Sequence, residues 1–192
     1  MNVVLLSGSP SAPSRSSLLL AHVQQRLQAG RADCQSFALR ELPALALVQA
    51  QASHPVLAAA IERVEAADLV VIGTPIYKAA YSGLLKAFLD LLPQDGLRGK
   101  AVLPIATGGT LAHLLAIEYA LKPVLGALGA RHIADPVFVA DAQWPRNAHG
   151  SFVPEPAALA RIERALLGLL EPAPRRRLQL AMPPAPMPAA AC

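Results

Sequence analysis

Apolar residues along this chain fall into two alternating rhythms: short unbroken runs, and stretches that repeat every three or four positions. The run Val3 to Leu6 stops at Ser7-Gly8-Ser9-Pro10 and predicts a buried strand over Asn2–Ser7. Over 16–28, Leu19, Leu20, Val23 and Leu27 recur at helical spacing, and Gly30 supplies the stop. A weaker strand is predicted at 34–39, and 41–53 is a Leu/Ala-rich connection whose structure the pattern leaves open. Residues 54–66 read as a helix with Pro55 in its first turn. The clearest strand, 69–72, ends at Gly73-Thr74-Pro75. A helix follows at 82–92, with Leu84, Leu85, Phe88, Leu91 and Leu92 on one side and Pro93 ending it. A strand at 100–106 stops at Thr107-Gly108-Gly109-Thr110. A long helical pattern then runs over 111–128, interrupted by Pro123, before a last strand at 136–140 and a last helix at 155–170.

Strands alternating with helices imply βαβ units on a parallel sheet. The expectation is therefore an α/β fold: a flavodoxin-like, doubly wound sheet of five parallel strands in order 2-1-3-4-5, helices on both faces. Its ligand site is expected outside the C-terminal strand ends, at the switch point between strands 1 and 3. Beyond Glu171 the sequence loses its period and becomes rich in Pro, Ala and Arg. The expected division is one domain over 1–171 and a disordered tail over 172–192.

Composition narrows the picture only in places. The chain is 54% hydrophobic but 4% aromatic, so the core must be built from Ala, Leu and Val. Cys34 and Cys192 stand in no metal or redox spacing, and His22, His54, His132 and His149 have no partners at ligand-like spacing. The N-terminus lacks a basic leader region, and no run approaches the roughly 18 apolar residues of a membrane span. Cytoplasmic localisation is expected, with no membrane partner. The net charge is +4, but Arg175, Arg176 and Arg177 account for much of it and no basic stripe interleaves with aromatics. Nucleic acid is not the expected partner.

If the strands are parallel, three chemically unusual loops share one sheet edge. The first, 7–17, is Ser-rich and opens a helix, where free N–H groups and the positive dipole end attract an anion. Hydroxyls of Ser9, Ser14, Ser16 and Ser17 add neutral donors, and Arg15 adds a charged planar fork. Neither G-x-x-x-x-G-K-[ST] nor G-x-G-x-x-G is present, which disfavours a nucleoside triphosphate or a Rossmann-type dinucleotide. The second loop, 73–83, leaves Ile76 and Tyr77 at the edge as a wall for a flat heterocycle. Tyr77 and Tyr81 can equally pack on the next helix, and Lys78 can be a solvated surface residue. The third loop, Thr107 to Thr110, has glycines that let backbone approach a ligand closely.

Read together, Gly8-Ser9-Pro10 with Ser14-Arg15-Ser16-Ser17, the stretch 73–83, and 106–115 with 120–125 resemble the NADPH-dependent FMN reductase family. The similarity is strongest to the reductases of alkanesulfonate monooxygenase systems and spans roughly residues 1–170. The resemblance implies that Ser9, Arg15, Ser16 and Ser17 bind the FMN phosphate. It implies that Pro75, Ile76 and Tyr77 lie along the isoalloxazine, and that Thr107, Gly108, Gly109 and Thr110 lie near the flavin's other side. Tyr119 matches a tyrosine that, in the alkanesulfonate subgroup, forms a π-helical bulge at an oligomer interface and is associated with releasing flavin. No side chain is nominated as general acid or base, because hydride transfer belongs to the cofactors. His113 on its Leu-rich helix reads as a packed or interface residue.

The implied activity is an NADPH-dependent FMN reductase that hands reduced FMN to a partner monooxygenase in organosulfur use. Two alternatives stand beside it: an enzyme that retains FMN and reduces quinones or azo dyes, and a non-enzymatic flavodoxin-like electron carrier. The chain's basic charge argues against the carrier, which is usually acidic. Apolar helix faces at 84–92 and 111–128 point to a homodimer or homotetramer.

Overall fold

The computed structural model describes residues 1–145, 147 and 152–170; His149 and the tail expected over 172–192 lie outside them. In chain order the main elements are β1 (Asn2–Ser7), α1 (Arg15–Ala29), β2 (Asp33–Ala38), α2 (Ala44–Val48), α3 (Pro55–Glu65) and β3 (Leu69–Tyr77). They continue with β4 (Ala80–Tyr81), α4 (Gly83–Leu89), β5 (Ala101–Gly108), α5 (Lys122–Ala127), β6 (His132–Ile133), β7 (Val137–Ala140) and α6 (Pro156–Leu170).

The strands form a parallel α/β sheet in the order β2-β1-β3-β5, with β6 and β7 both paired to the far side of β5. This is the expected doubly wound order, with its fifth place filled by two short strands rather than one. The break has a cause in the sequence. β6 pairs Ala101 and Val102, β7 pairs from Ile105 onward, and the gap falls beside Pro104, which has no N–H to donate. A second departure is β4, a two-residue strand that folds back antiparallel on the end of β3.

Strand periodicity divides the core between the sheet's two faces. Val3, Leu5, Leu69 and Val71 pack with Leu19, Leu20, Val23 and Leu27 of α1 and with Ala158, Ile162 and Leu166 of α6. Val4, Leu6, Val70 and Ile72 point the other way, against Leu57 and Ile61 of α3, Leu85 and Phe88 of α4, and Leu125 of α5. Burying each Leu, Val or Ile side chain contributes roughly 1.5–3 kcal/mol, and the helices on both faces follow from strands that are apolar on both sides.

Helices α1 and α6, neighbours on one face, are tied by a fork: Arg26 Nε donates to Glu163 Oε1 at 2.6 Å and Nη2 to Oε2 at 3.2 Å. The hydrogen bond from Arg26 holds the Glu163 carboxyl below its ordinary value of 4.5. A lowered folded value means the pair's stability is present above that ordinary range and is lost as pH falls through the folded value. Glu163→Gln is therefore expected to lower the melting temperature slightly at neutral pH. The difference from the parent should shrink as thermal melts are repeated below pH 4.5.

The long helical pattern over 111–128 is not one α-helix. It opens with a 3₁₀ turn at Leu111–Leu114, passes into a π-helical segment at Ile117–Leu121 that contains Tyr119, and finishes as α5. The backbone shows the slip directly, because the Lys122 N–H donates to the Ile117 carbonyl five residues back. Pro123, next in the chain, has no N–H with which to resume the α pattern.

Candidate functional site

The first loop is shaped by serines that bond one another. Ser14 caps α1, its Oγ accepting from the Ser17 N–H at 3.1 Å. Ser17 Oγ lies 2.7 Å from Ser14 Oγ and 2.9 Å from Ser7 Oγ. Ser16 Oγ is 3.3 Å from Ser14 Oγ, and Ser9 Oγ accepts from the Ser11 N–H at 3.2 Å. No acidic residue of α1 lies in its first turn, so the helix presents its positive end unopposed from within.

The second loop is anchored to the first. The Gly8 N–H donates to the Gly73 carbonyl at 2.8 Å, and the Ser82 hydroxyl donates to the Gly8 carbonyl. Ser82, which is buried, also accepts from the Leu85 N–H at 3.2 Å and so caps α4. Its own N–H donates to Thr74 Oγ1 at 3.1 Å. Thr74 and Ser82 therefore hold the switch point together, a role that sequence spacing did not reveal.

Between β3 and β4 the chain turns on Lys78 and Ala79, whose φ angles of 49° and 62° are both left-handed. Such a two-residue turn matches the sheet's twist but strains residues that carry a Cβ. The turn leaves Ile76 buried and Tyr77 half exposed at the sheet edge. Ala79→Gly is expected to raise stability by about 0.5–1 kcal/mol, a melting point higher by roughly 1–4 °C in a calorimetric scan.

In the third loop, a Cβ placed on Gly108 would sit 3.0 Å from His113 Nδ1 and 3.3 Å from Phe138 Cζ. The backbone is packed from behind there and leaves its front bare.

These three loops enclose one cavity of about 240 Å³, lined by Ser9, Arg15, Ser16, Pro75, Ile76, Tyr77, Thr107, Gly108 and Gly109 among others. Nine of the residues expected from sequence thus meet at one place. Two do not line it. Ser17 lies behind the first loop, supporting Ser7 and Ser14 and facing a second cavity between α1 and β2. Thr110 is exposed at the start of the 3₁₀ turn, where its carbonyl accepts from the His113 N–H.

Asp141 and Phe152 also line the cavity and were missed by sequence reading. Asp141 follows β7 directly, so the rule that ligands gather at C-terminal strand ends could have found it. Phe152 carries no such signal. Both grip the one cation among the described lining residues: Arg15 Nη1 lies 3.2 Å from Asp141 Oδ1, and the guanidinium sits 4.6 Å from the centre of the Phe152 ring. Arg15 Nε is buried without a hydrogen-bond partner among the described residues. A buried donor beside hydroxyls and a helix N-terminus suits a phosphate group, and an apolar wall with the Gly108-Gly109 backbone lining the same cavity suits a flat ring.

Helix surface near this site is apolar and open. Leu111 is 66% exposed, Leu115 57% and Tyr119 79%, whereas Leu85, Phe88, Leu89, Leu91 and Leu92 of the 84–92 stretch are buried in the chain's own core. The surplus apolar face expected from sequence is thus concentrated on the 3₁₀ and π segments.

Comparison with known proteins gives one consistent likeness. The sequence model of the NADPH-dependent FMN reductase family matches residues 1–145. An FMN reductase (NADPH) of Escherichia coli is 48% identical over 143 residues, covering 74% of this chain and 75% of that protein. The NADH-dependent FMN reductase SfnF of Pseudomonas putida is 31% identical over 170 residues, covering 86% and 89%. Among solved structures, the apo form of an NADH:FMN oxidoreductase (EMOB) superposes with a TM-score of 0.78 at 36% identity, covering 86% of each chain.

Proposed function

Since this chain belongs to the NADPH-dependent FMN reductase family, as an oxidoreductase of FMN and a reduced nicotinamide nucleotide, we propose that it releases its reduced flavin to a partner. The partner is an FMNH2-dependent monooxygenase in alkanesulfonate or related organosulfur use, and the nicotinamide nucleotide is NADPH. The observation that carries the site assignment is the meeting of the three loops on one cavity. Arg15, Ser9, Ser16 and the opening N–H groups of α1 hold the phosphate, while Ser17 keeps Ser14 and Ser7 in place behind them. Pro75, Ile76 and Tyr77 bear on the ring, with Thr107, Gly108 and Gly109 offering backbone from the other side and Thr110 closing that loop.

When bound, the flavin supplies acceptance of hydride at its N5 from the nicotinamide C4. The protein's part is binding and orientation. The Gly8–Gly73–Ser82 junction fixes the distance between the phosphate loop and the ring wall, and fixed geometry of this kind is where a cofactor enzyme gains rate. Release is supported by the π-helical segment and by the exposure of Tyr119. A second copy of the chain covering Leu111, Leu115 and Tyr119 gives the homodimer or homotetramer. We place the enzyme in the cytoplasm and take 1–171 as its functional unit.

The test is NADPH consumption by purified protein titrated with FMN. Many turnovers of FMN in molar excess over enzyme support the reading. A protein that purifies yellow, reduces quinones, and fails to turn over free FMN sinks it in favour of the flavin-retaining alternative.

A further inference from the structure

We propose that Asp141 sets how loosely FMN is held, by contesting Arg15 with the flavin's phosphate. This deepens the reading above and rests on it. Of the described residues lining the cavity, Arg15 is the one cation and Asp141 the one anion. They are paired with each other at 3.2 Å. The other described groups at the mouth of α1 favour an anion: the helix N-terminus, the serine hydroxyls, and the buried Arg15 Nε, which has no hydrogen-bond partner among the described residues. Among the described residues there, the Asp141 carboxylate is the one group that opposes it.

The carboxylate is delivered by a well-tied turn. Asp141 begins a 3₁₀ turn, Asp141–Gln143, in which the Trp144 N–H donates to the Asp141 carbonyl at 3.1 Å. Gln143 Oε1 in turn accepts from the Ala140 N–H at 3.3 Å and from Arg161 Nη2 of α6 at 2.9 Å. The turn is therefore pinned to α6, and Asp141 meets Arg15 from a fixed direction while Phe152 stacks on the guanidinium.

A phosphate monoester near neutral pH carries between one and a half and two negative charges, roughly, and three acceptor oxygens. To use Arg15 it must draw the guanidinium from Asp141 or share it, and it then sits near a like charge in a partly enclosed site. The Arg15–Asp141 pair is half open to solvent, with side chains 30% and 46% exposed, so it yields to the ligand rather than blocking it. The effect falls on affinity and dwell time, the properties that separate a released flavin from a retained one.

The experiment is a pair of equilibrium titrations, FMN and riboflavin, followed by flavin fluorescence on the parent protein, D141N, D141S and D141E. FMN is expected to bind D141N and D141S about tenfold more tightly than the parent, equivalent to roughly 1.4 kcal/mol. Its dissociation in stopped flow should slow in step. D141E, which keeps the charge, should stay close to the parent. Riboflavin, which lacks the phosphate, should bind all four proteins alike. The proposal is overturned if FMN affinity in both neutral variants is unchanged or weaker, or if riboflavin tightens in parallel. Failure of the parent itself to bind FMN would instead overturn the flavin site on which the proposal stands.

Discussion

Replacing Arg15 with alanine is expected to weaken FMN binding by roughly 10- to 150-fold, while riboflavin binding stays near the parent value. The size follows from losing charge-assisted hydrogen bonds to a phosphate, about 1.5–3 kcal/mol. Selectivity for the phosphorylated ligand follows from position, since Arg15 opens α1 beside Ser9 and Ser16 in the same cavity. Stability should change little, because the partners Arg15 loses are a half-exposed Asp141 and a ring face. Arg15→Lys should recover only part of the affinity, because an ammonium cannot offer the planar fork. Parallel titrations with the two flavins check this. An equal loss for both would mean that Arg15 holds the loop rather than the phosphate.

A second large effect is expected at the switch point. In Gly73→Ala the new methyl would lie 2.6 Å from Leu20 Cγ and 2.7 Å from Leu20 Cδ1, so α1 must move or Leu20 must leave its rotamer. Overpacking of this kind costs about 1–3 kcal/mol, a fall in melting temperature of roughly 2–10 °C for a chain of this size. Because the Gly73 carbonyl also receives the Gly8 N–H, the displacement reaches the phosphate loop, and FMN affinity should fall with stability. The cause can be isolated by adding Leu20→Ala. That change alone costs about 2–5 kcal/mol by leaving a cavity, and in the Gly73→Ala background it should cost clearly less. Strict additivity of the two melting shifts would place the strain elsewhere.

These two residues also show what the sequence makes legible. Strands β1 and β3 are marked by the apolar runs before Gly8 and Gly73, the signature of a parallel sheet buried on both faces. However, β3 does not stop at Gly73 as the pattern predicts: it continues to Tyr77, with Gly73, Thr74 and Pro75 still paired to β5. Once β1, β3 and β5 are parallel neighbours, their C-terminal ends share one edge, and Arg15, Ile76, Tyr77 and Gly108 fall together there. The split between β6 and β7 was hidden because two-residue strands have no period, although Pro104 marks the place. The π segment was equally invisible to periodicity: a slip of one residue turns the register by about 100°, but a stretch apolar nearly all round shows no change of face. It was the resemblance around Tyr119 that pointed there, and Pro123 supplies a physical reason. Thr74 and Ser82 escaped notice because their value lies in the Ser82 N–H bond to Thr74 Oγ1 and the Ser82 hydroxyl bond to the Gly8 carbonyl, contacts made only in the folded chain. Asp141 was within reach of the strand-end rule; Phe152 was not, because only tertiary contact brings it to Arg15.

A crystal structure of the protein with FMN bears most directly on the site. The phosphate is expected within hydrogen-bonding distance of Arg15 and the N–H groups that open α1, with the isoalloxazine against Ile76 and Tyr77. A phosphate seated elsewhere, for instance in the groove lined by Arg161 and Arg164 beside β7, would contradict it.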